Sequence, residues 1–304
     1  MPMAANAMAL PAFDDRIYPH RVVLPVTSRP NQKVRETMRT IGWVQWLFAI
    51  ASAALAVLMF AYGTFAPAAA PLAAWIPWQD VWIYGSASLV LAASFGLCFS
   101  RTAVTSVLVI GAYLAVWALI GVPQIFSDPL GFGGWYGTCE ALSTLVGAWI
   151  LYVMLRRRSD SPEMLVGRQR VLRPAQVLFG LTCVFYGASH FAYAEYTASM
   201  VPTWLPMPLP MAYLTGFFHI VAGIGLSVGL LPRLAATLEA IMMSLFGLLV
   251  WVPSFFAHPR PAWATSPQNQ CSELTVNLAL AASAWVVAAS LRNRRWFFRR
   301  ATRA

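Results

Sequence analysis

Eight apolar runs constrain this chain more than any other feature. They lie near 42–61, 81–99, 103–122, 138–155, 175–193, 211–231, 233–252 and 272–291. Each is about the ~20 residues that an α-helix needs to cross ~30 Å of hydrocarbon. Helices suit lipid because each backbone N–H and C=O is paired within its own segment. An outer-membrane barrel would read instead as ~10-residue alternating strands, and the sequence has no such pattern. The chain is 59% hydrophobic and 11% charged, well below the roughly one-quarter charged composition of soluble domains. The expectation is an all-α integral membrane protein with eight transmembrane helices.

Charge orients those helices. Of 21 Lys and Arg, six precede the first run (Arg16, Arg21, Arg29, Lys33, Arg35, Arg39). Another six separate the fourth and fifth runs (Arg156, Arg157, Arg158, Arg168, Arg170, Arg173), and six follow the last (Arg292, Arg294, Arg295, Arg299, Arg300, Arg303). Arg101 and Arg233 occupy tight turns on the same side, which leaves Arg260 alone on the other. By the positive-inside rule both termini are cytoplasmic, in an inner membrane of bacterial type. The net charge of +10 then follows from topology and attraction to anionic lipid, with no nucleic-acid partner. Residues 1–40 read as a partly disordered cytoplasmic tail. Their short apolar stretch, Met8–Phe13, is broken by Pro11 and no cleavage site follows it.

The chain also repeats itself. Leu119, Val122, Pro123, Phe126 and Pro129 recur as Leu249, Val252, Pro253, Phe256 and Pro259, at a constant offset of 130. Tyr62-Gly63 pairs with Tyr186-Gly187, Ile76-Pro77 with Leu205-Pro206, Gly85 with Gly216, and Cys139-Glu140 loosely with Cys271 and Glu273. Four spans per half preserve orientation, so the halves are expected to be parallel four-helix repeats. The boundaries follow: a tail over 1–40, a degenerate first repeat over 41–155, an Arg-rich linker over 156–173, a second repeat over 174–291, and a basic tail over 292–304. Residues 194–210 carry Pro202, Pro206, Pro208 and Pro210 and read as loop rather than helix, with Trp204 at the interface. Pro232 can open the seventh helix. Gly225 and Gly229 form a small-xxx-small pair, which packs helices within one chain or between two copies. No span shows a convincing internal break.

Ionisable groups in a bilayer cost several kcal/mol and face a bundle interior. Tyr186, His190, His219, Glu273 and Asn277 are the first candidates for a ligand or proton site, with Glu140 and Glu239 second. At 1.5 Å per residue, His190 lies ~5 Å and His219 ~12 Å below the outer boundary, and Glu273 and Asn277 ~2–8 Å. Those five share the outer half of the second repeat. Glu239, ~9 Å above the cytoplasmic boundary, reads as too deep to join them. Ser88 stands opposite His219 in the first repeat, which lacks both histidines.

Two readings of the cluster stand side by side: interhelical hydrogen bonding for packing, and a proton-active or ligand site. The ~7 Å height difference speaks against a bis-histidine haem, and no spacing resembles a metal motif. Cys98 and Cys183 read as core residues. Cys139 and Cys271 lie on the outer, oxidising side, where they could form a disulfide. No Walker loop, dinucleotide loop, GxSxG elbow or HExxH is present.

One stretch of the second half has a more specific pattern. It runs Tyr186-Gly187-Ala188-Ser189-His190-Phe191, then Met200-Val201-Pro202-Thr203-Trp204-Leu205-Pro206. It continues through Ala212-Tyr213-Leu214-Thr215-Gly216, His219, Ala222-Gly223-Ile224-Gly225 and Pro232-Arg233-Leu234-Ala235 to Glu273-Leu274. Residues 174–291 thereby resemble the DoxX-like membrane proteins, whose four-helix unit this chain would contain twice. The wider family is similar to the small DoxD-type subunit of thiosulfate:quinone oxidoreductase. The resemblance implies a four-helix fold, a quinone as the cofactor to test, and other membrane redox subunits as partners. It transfers no catalytic residue. Three functions compete: a redox or quinone-associated subunit, a structural or assembly partner of a membrane complex, and a small-molecule or proton-coupled transporter.

Overall fold

The computed structural model describes residues 32–66, 77–156 and 162–297. Residues up to Met38 form a unit of their own, and the fold below is that of the unit from Arg39 onward. The elements are α1 (Gln32–Tyr62), α2 (Gln79–Leu97), α3 (Ala103–Ser127), α4 (Phe132–Leu155), α5 (Pro162–Ala192), α6 (Ala194–Ser199) and α7 (Pro208–Val228). They continue with α8 (Pro232–Phe246), a π turn (Gly247–Trp251), α9 (Val252–Ser254) and α10 (Pro267–Ser290). Eight helical stretches among the described residues are long and apolar enough to cross a membrane, one for each run in the sequence.

Several boundaries differ from the sequence reading. Of the tail expected over 1–40, residues 1–31 lie outside the described residues, and from Gln32 the chain is already helical. In the linker expected over 156–173, residues 157–161 lie outside them, and α5 begins at Pro162. Ile76 and residues 298–304 of the basic tail lie outside them as well. The stretch expected to be all loop, 194–210, opens with the short helix α6, because its prolines begin only at Pro202.

α4 starts at Phe132, after the extended Gly131. α10 starts at Pro267, where Ser266 Oγ caps it by accepting from the Asn269 N–H at 3.0 Å. Glu140 and Glu273 therefore sit more than one turn inside their helices. A proline at the first position and a capped N-terminus carry the start of α10 beyond the apolar run, into its polar flank.

The expectation of unbroken spans fails in the seventh. Between α8 and α9 the Val252 N–H donates to Gly247 O, a π-type bond. The break stands just before Pro253, whose ring would otherwise clash with the carbonyl of Leu249. Pro123, the matching residue of the first half, lies within α3, which runs as one helix to Ser127.

Helix contacts are made through small residues. α5 and α7 form the most extensive pair. A Cβ on Gly187 would meet Gly216 O at 2.5 Å, and one on Gly180 would meet Gly223 O at 2.6 Å. Two glycines seven residues apart on each helix therefore let the backbones touch along a seam. In lipid that close approach replaces the hydrophobic drive between helices. Gly229 has a different task from the packing pair expected of it: at φ 80° it caps α7, donating to Gly225 O at 3.0 Å. Arg173 completes that cap, donating to Leu226 O at 2.7 Å and Ser227 O at 2.5 Å, as suits a cation at a helix C-terminus.

α4 joins the halves, packing on α3, α5 and α10. Gly147 lies in a tight niche, where a Cβ would stand 2.7 Å from Ser283 Cβ of α10 and 3.0 Å from Phe48 of α1. α10 also packs on α8, and Trp285 Nε1 donates to Ser244 Oγ at 3.1 Å.

Candidate functional site

The gathering point of the C-terminal half is His219 on α7. It is fully buried, and so is Glu239 on α8. His219 Nδ1 and Glu239 Oε1 are 2.8 Å apart. This overturns the expectation that Glu239 is too deep to join the cluster. The two depths were reckoned from opposite faces of the membrane. α7 ends at Val228 and α8 starts at Pro232. From that shared turn His219 is ~14 Å along its helix and Glu239 ~10 Å. The remaining gap is within side-chain reach.

The rest of the cluster comes from α5 and the end of α8. The His190 ring lies 5.1 Å from that of His219 between centroids, and Tyr186 is 6.3 Å from it. Phe246 stacks on His190 at 6.1 Å and tilts against His219 at 5.8 Å. The two rings thus meet despite the ~7 Å difference expected in their heights. The glycine seam helps, since a Cβ on Gly216 would come 2.7 Å from His190 Cβ.

Two directed hydrogen-bond chains hold α5 in place. Thr182 Oγ1 donates to Phe179 O at 2.8 Å and accepts from Ser143 Oγ at 2.8 Å. With Ser143 thus committed as donor, the 3.2 Å contact with Tyr186 has the tyrosine O–H donating. In the second chain Tyr136 donates to Ser189 Oγ at 2.5 Å, and Ser189 donates to Tyr186 O at 2.7 Å. His190 Nδ1 lies 2.8 Å from that same carbonyl. Both chains cross from α4 to α5.

The remaining candidates stand apart from the histidines. Asn277 of α10 lies against the π turn, with Oδ1 2.8 Å from where a Gly247 Cβ would be. Glu273 makes no hydrogen bond or ion pair with either histidine. It lies within electrostatic reach of Glu140 and Tyr136 on α4 and of Tyr196. Tyr196 lies on α6, outside the spans, and its phenol is pushed above the ordinary tyrosine value by burial first and by Glu273 second. Glu140 and Glu273 thus belong to the α4–α10 seam, a second polar zone.

The disulfide open to Cys139 and Cys271 is not formed: both are free, and Tyr62 O–H donates to Cys271 Sγ at 3.4 Å. Cys183, expected to be plain core, lies beside the Glu239 carboxyl. Cys183, Phe246, Tyr136, Ser143 and Thr182 escaped the sequence reading. Only Ser189 stood in a quoted motif. Tyr136 stands just before the fourth apolar run, the others are ordinary members of such runs, and nothing in their spacing distinguishes them.

Among the described residues three buried side-chain polar atoms have no hydrogen-bond partner. One is Thr138 Oγ1, pressed against Gly121. The other two are His219 Nε2 and Glu239 Oε2, the outer atoms of the buried pair.

Compared with known families, residues 172–259 match the DoxX family model. That stretch is similar to the DoxX family. The match takes in Tyr186, His190, His219, Glu239 and Phe246 and ends before α10, so Glu273 and Asn277 lie beyond it. No curated protein and no solved structure matches the chain.

Proposed function

We propose that this DoxX-like protein is a redox-associated membrane subunit that handles a quinone through the His219–Glu239 pair, in an inner membrane with both termini cytoplasmic. One observation carries the reading: the two outward atoms of a fully buried ionisable pair are left without partners. Burying net charge is costly, so the pair rests as a neutral unit. That unit has two forms, imidazolium with carboxylate and imidazole with carboxylic acid. When the acid proton lies on Oε1, Nδ1 accepts it and the ring hydrogen sits on Nε2. In both forms Nε2–H is a donor and Oε2 an acceptor. The pair therefore presents the same face wherever its shared proton lies.

A quinone carbonyl would accept from Nε2–H, and quinone reduction takes up two electrons and two protons. Phe246 packs against the rings of both His190 and His219. When Nε2 gives up its hydrogen, Nδ1 keeps or takes the shared proton and Glu239 is left ionised. A lone buried carboxylate is unfavourable, which drives proton return to the pair. Electrons would come from a partner redox subunit.

Complete burial of both residues favours a second reading, in which the pair is a strut between α7 and α8 in a structural or assembly partner. Binding separates the two. A short-tailed quinone analogue is titrated into purified full-length protein in nanodiscs, followed by tryptophan quenching. Under the first reading His219→Gln weakens binding by about tenfold, the loss of one hydrogen bond to a buried donor. No binding to the native protein, or equal binding by His219→Gln, leaves the strut reading.

A further inference from the structure

We infer that His190 is the proton gate between the α6 end of the bundle and the buried His219–Glu239 pair. The inference rests on the pair exchanging protons, as proposed above, and does not require that a quinone be the acceptor.

His190 is held in one tautomer. Its Nδ1 lies 2.8 Å from Tyr186 O, and a carbonyl oxygen only accepts, so Nδ1 carries hydrogen in both charge states. All exchange at this ring must then pass through Nε2. The ring is half-buried, whereas His219 is fully buried. Its centroid lies 5.1 Å from that of His219, and since His219 Nε2 has no protein partner transfer between the rings would need one bridging water. Phe246 packs against both rings.

Between the pair and the α7–α8 turn the two helices carry the buried apolar residues Leu226 and Ala236. Arg173, at that end, is committed to the carbonyls that end α7. The Tyr186–Ser143–Thr182 chain terminates on Phe179 O and offers no onward acceptor. The titratable groups around the two rings are Cys183 and Tyr186 of α5 and Glu239 of α8. From α4 Tyr136 reaches α5 through Ser189, and Glu273 of α10 acts on that tyrosine. Among them only His190 is both half-buried and in ring contact with His219.

The step balances without an oxidant. A proton from the α6 end adds to His190 Nε2, giving an imidazolium whose Nδ1–H stays on Tyr186 O. That Nε2–H bond breaks as a new one forms at His219 Nε2, the lone-pair nitrogen once the pair has lost its proton. His190 returns to neutral, and the pair recovers its neutral form.

Magic-angle NMR of 15N-histidine-labelled full-length protein in liposomes tests this, with no quinone present. The reported signal is the solvent exchange of the His219 Nε2 proton, assigned through His219→Gln. His190→Gln should slow that exchange by about 10²-fold, the usual worth of a placed acid–base group. His190→Ala should slow it similarly and recover with added imidazole, which fills the vacated site. Unchanged or faster exchange in His190→Gln, or an alanine variant deaf to imidazole, overturns the gate. Thermal melts of both variants identify any loss of fold, and the imidazole arm then decides on the variant that remains folded. Failure of the quinone titration would leave this result standing, so the two claims fall separately.

Discussion

Gly85 in α2 and Gly216 in α7 are paired by the expected sequence repeat, yet they meet different surroundings. A Cβ on Gly85 would have nothing within 4 Å, whereas one on Gly216 would meet His190 Cβ, Gly187 O and Phe191. The contrast extends along the same helices. Ser88, opposite His219, is exposed and donates to Tyr84 O of its own helix at 2.8 Å. His219 is fully buried and bonded across to α8. Pro123 lies within a continuous helix, while Pro253 follows a π turn that brings Gly247 against Asn277. A matching residue brings the same local preference to both places. What that preference serves depends on whether a second backbone lies opposite.

The largest effect that can break this contrast lies in the buried pair. His219→Leu should lower stability by about 3–5 kcal/mol, because Glu239 then has no buried partner. The double variant His219→Leu/Glu239→Leu should recover most of that loss. Thermal unfolding in detergent reads both, and a single variant that melts like the native protein would remove the asymmetry. Next, Gly216→Ala should cost about 1–3 kcal/mol through overpacking of the α5–α7 seam. Tyr136→Phe should cost about 1 kcal/mol, one buried hydrogen bond on the path joining the halves. A neutral result there would make α4 a passive neighbour of the site. Smallest and opposite in sign, Gly85→Ala should be neutral or stabilising by up to about 1 kcal/mol, since the helix gains a better former and nothing is struck. Destabilisation there would show a contact in the first half equal to that of the second.

How much of this was legible depended on the range of the interaction. Spans were legible because hydrocarbon thickness acts on each run separately. The histidines stood out because a charged or polar group in such a run is conspicuous. Cys183, Ser143 and Thr182 were not legible, since small polar residues within apolar runs look alike until a partner helix arrives. Glu239 was visible but misplaced by a depth measured from the wrong face. Its height became comparable with that of His219 only when both were counted from the tight α7–α8 turn.

The sequence by itself determined the helical membrane architecture, the distribution of basic residues and the similarity of residues 172–259 to the DoxX family, because these follow from composition and local pattern. Only the tertiary structure decided that Glu239 pairs with His219, that Glu273 belongs to another seam, and that Cys139 and Cys271 are free. Those outcomes turn on distances of a few ångströms between helices remote in sequence. They are set by which glycines let two backbones touch and how far each helix runs past its apolar stretch.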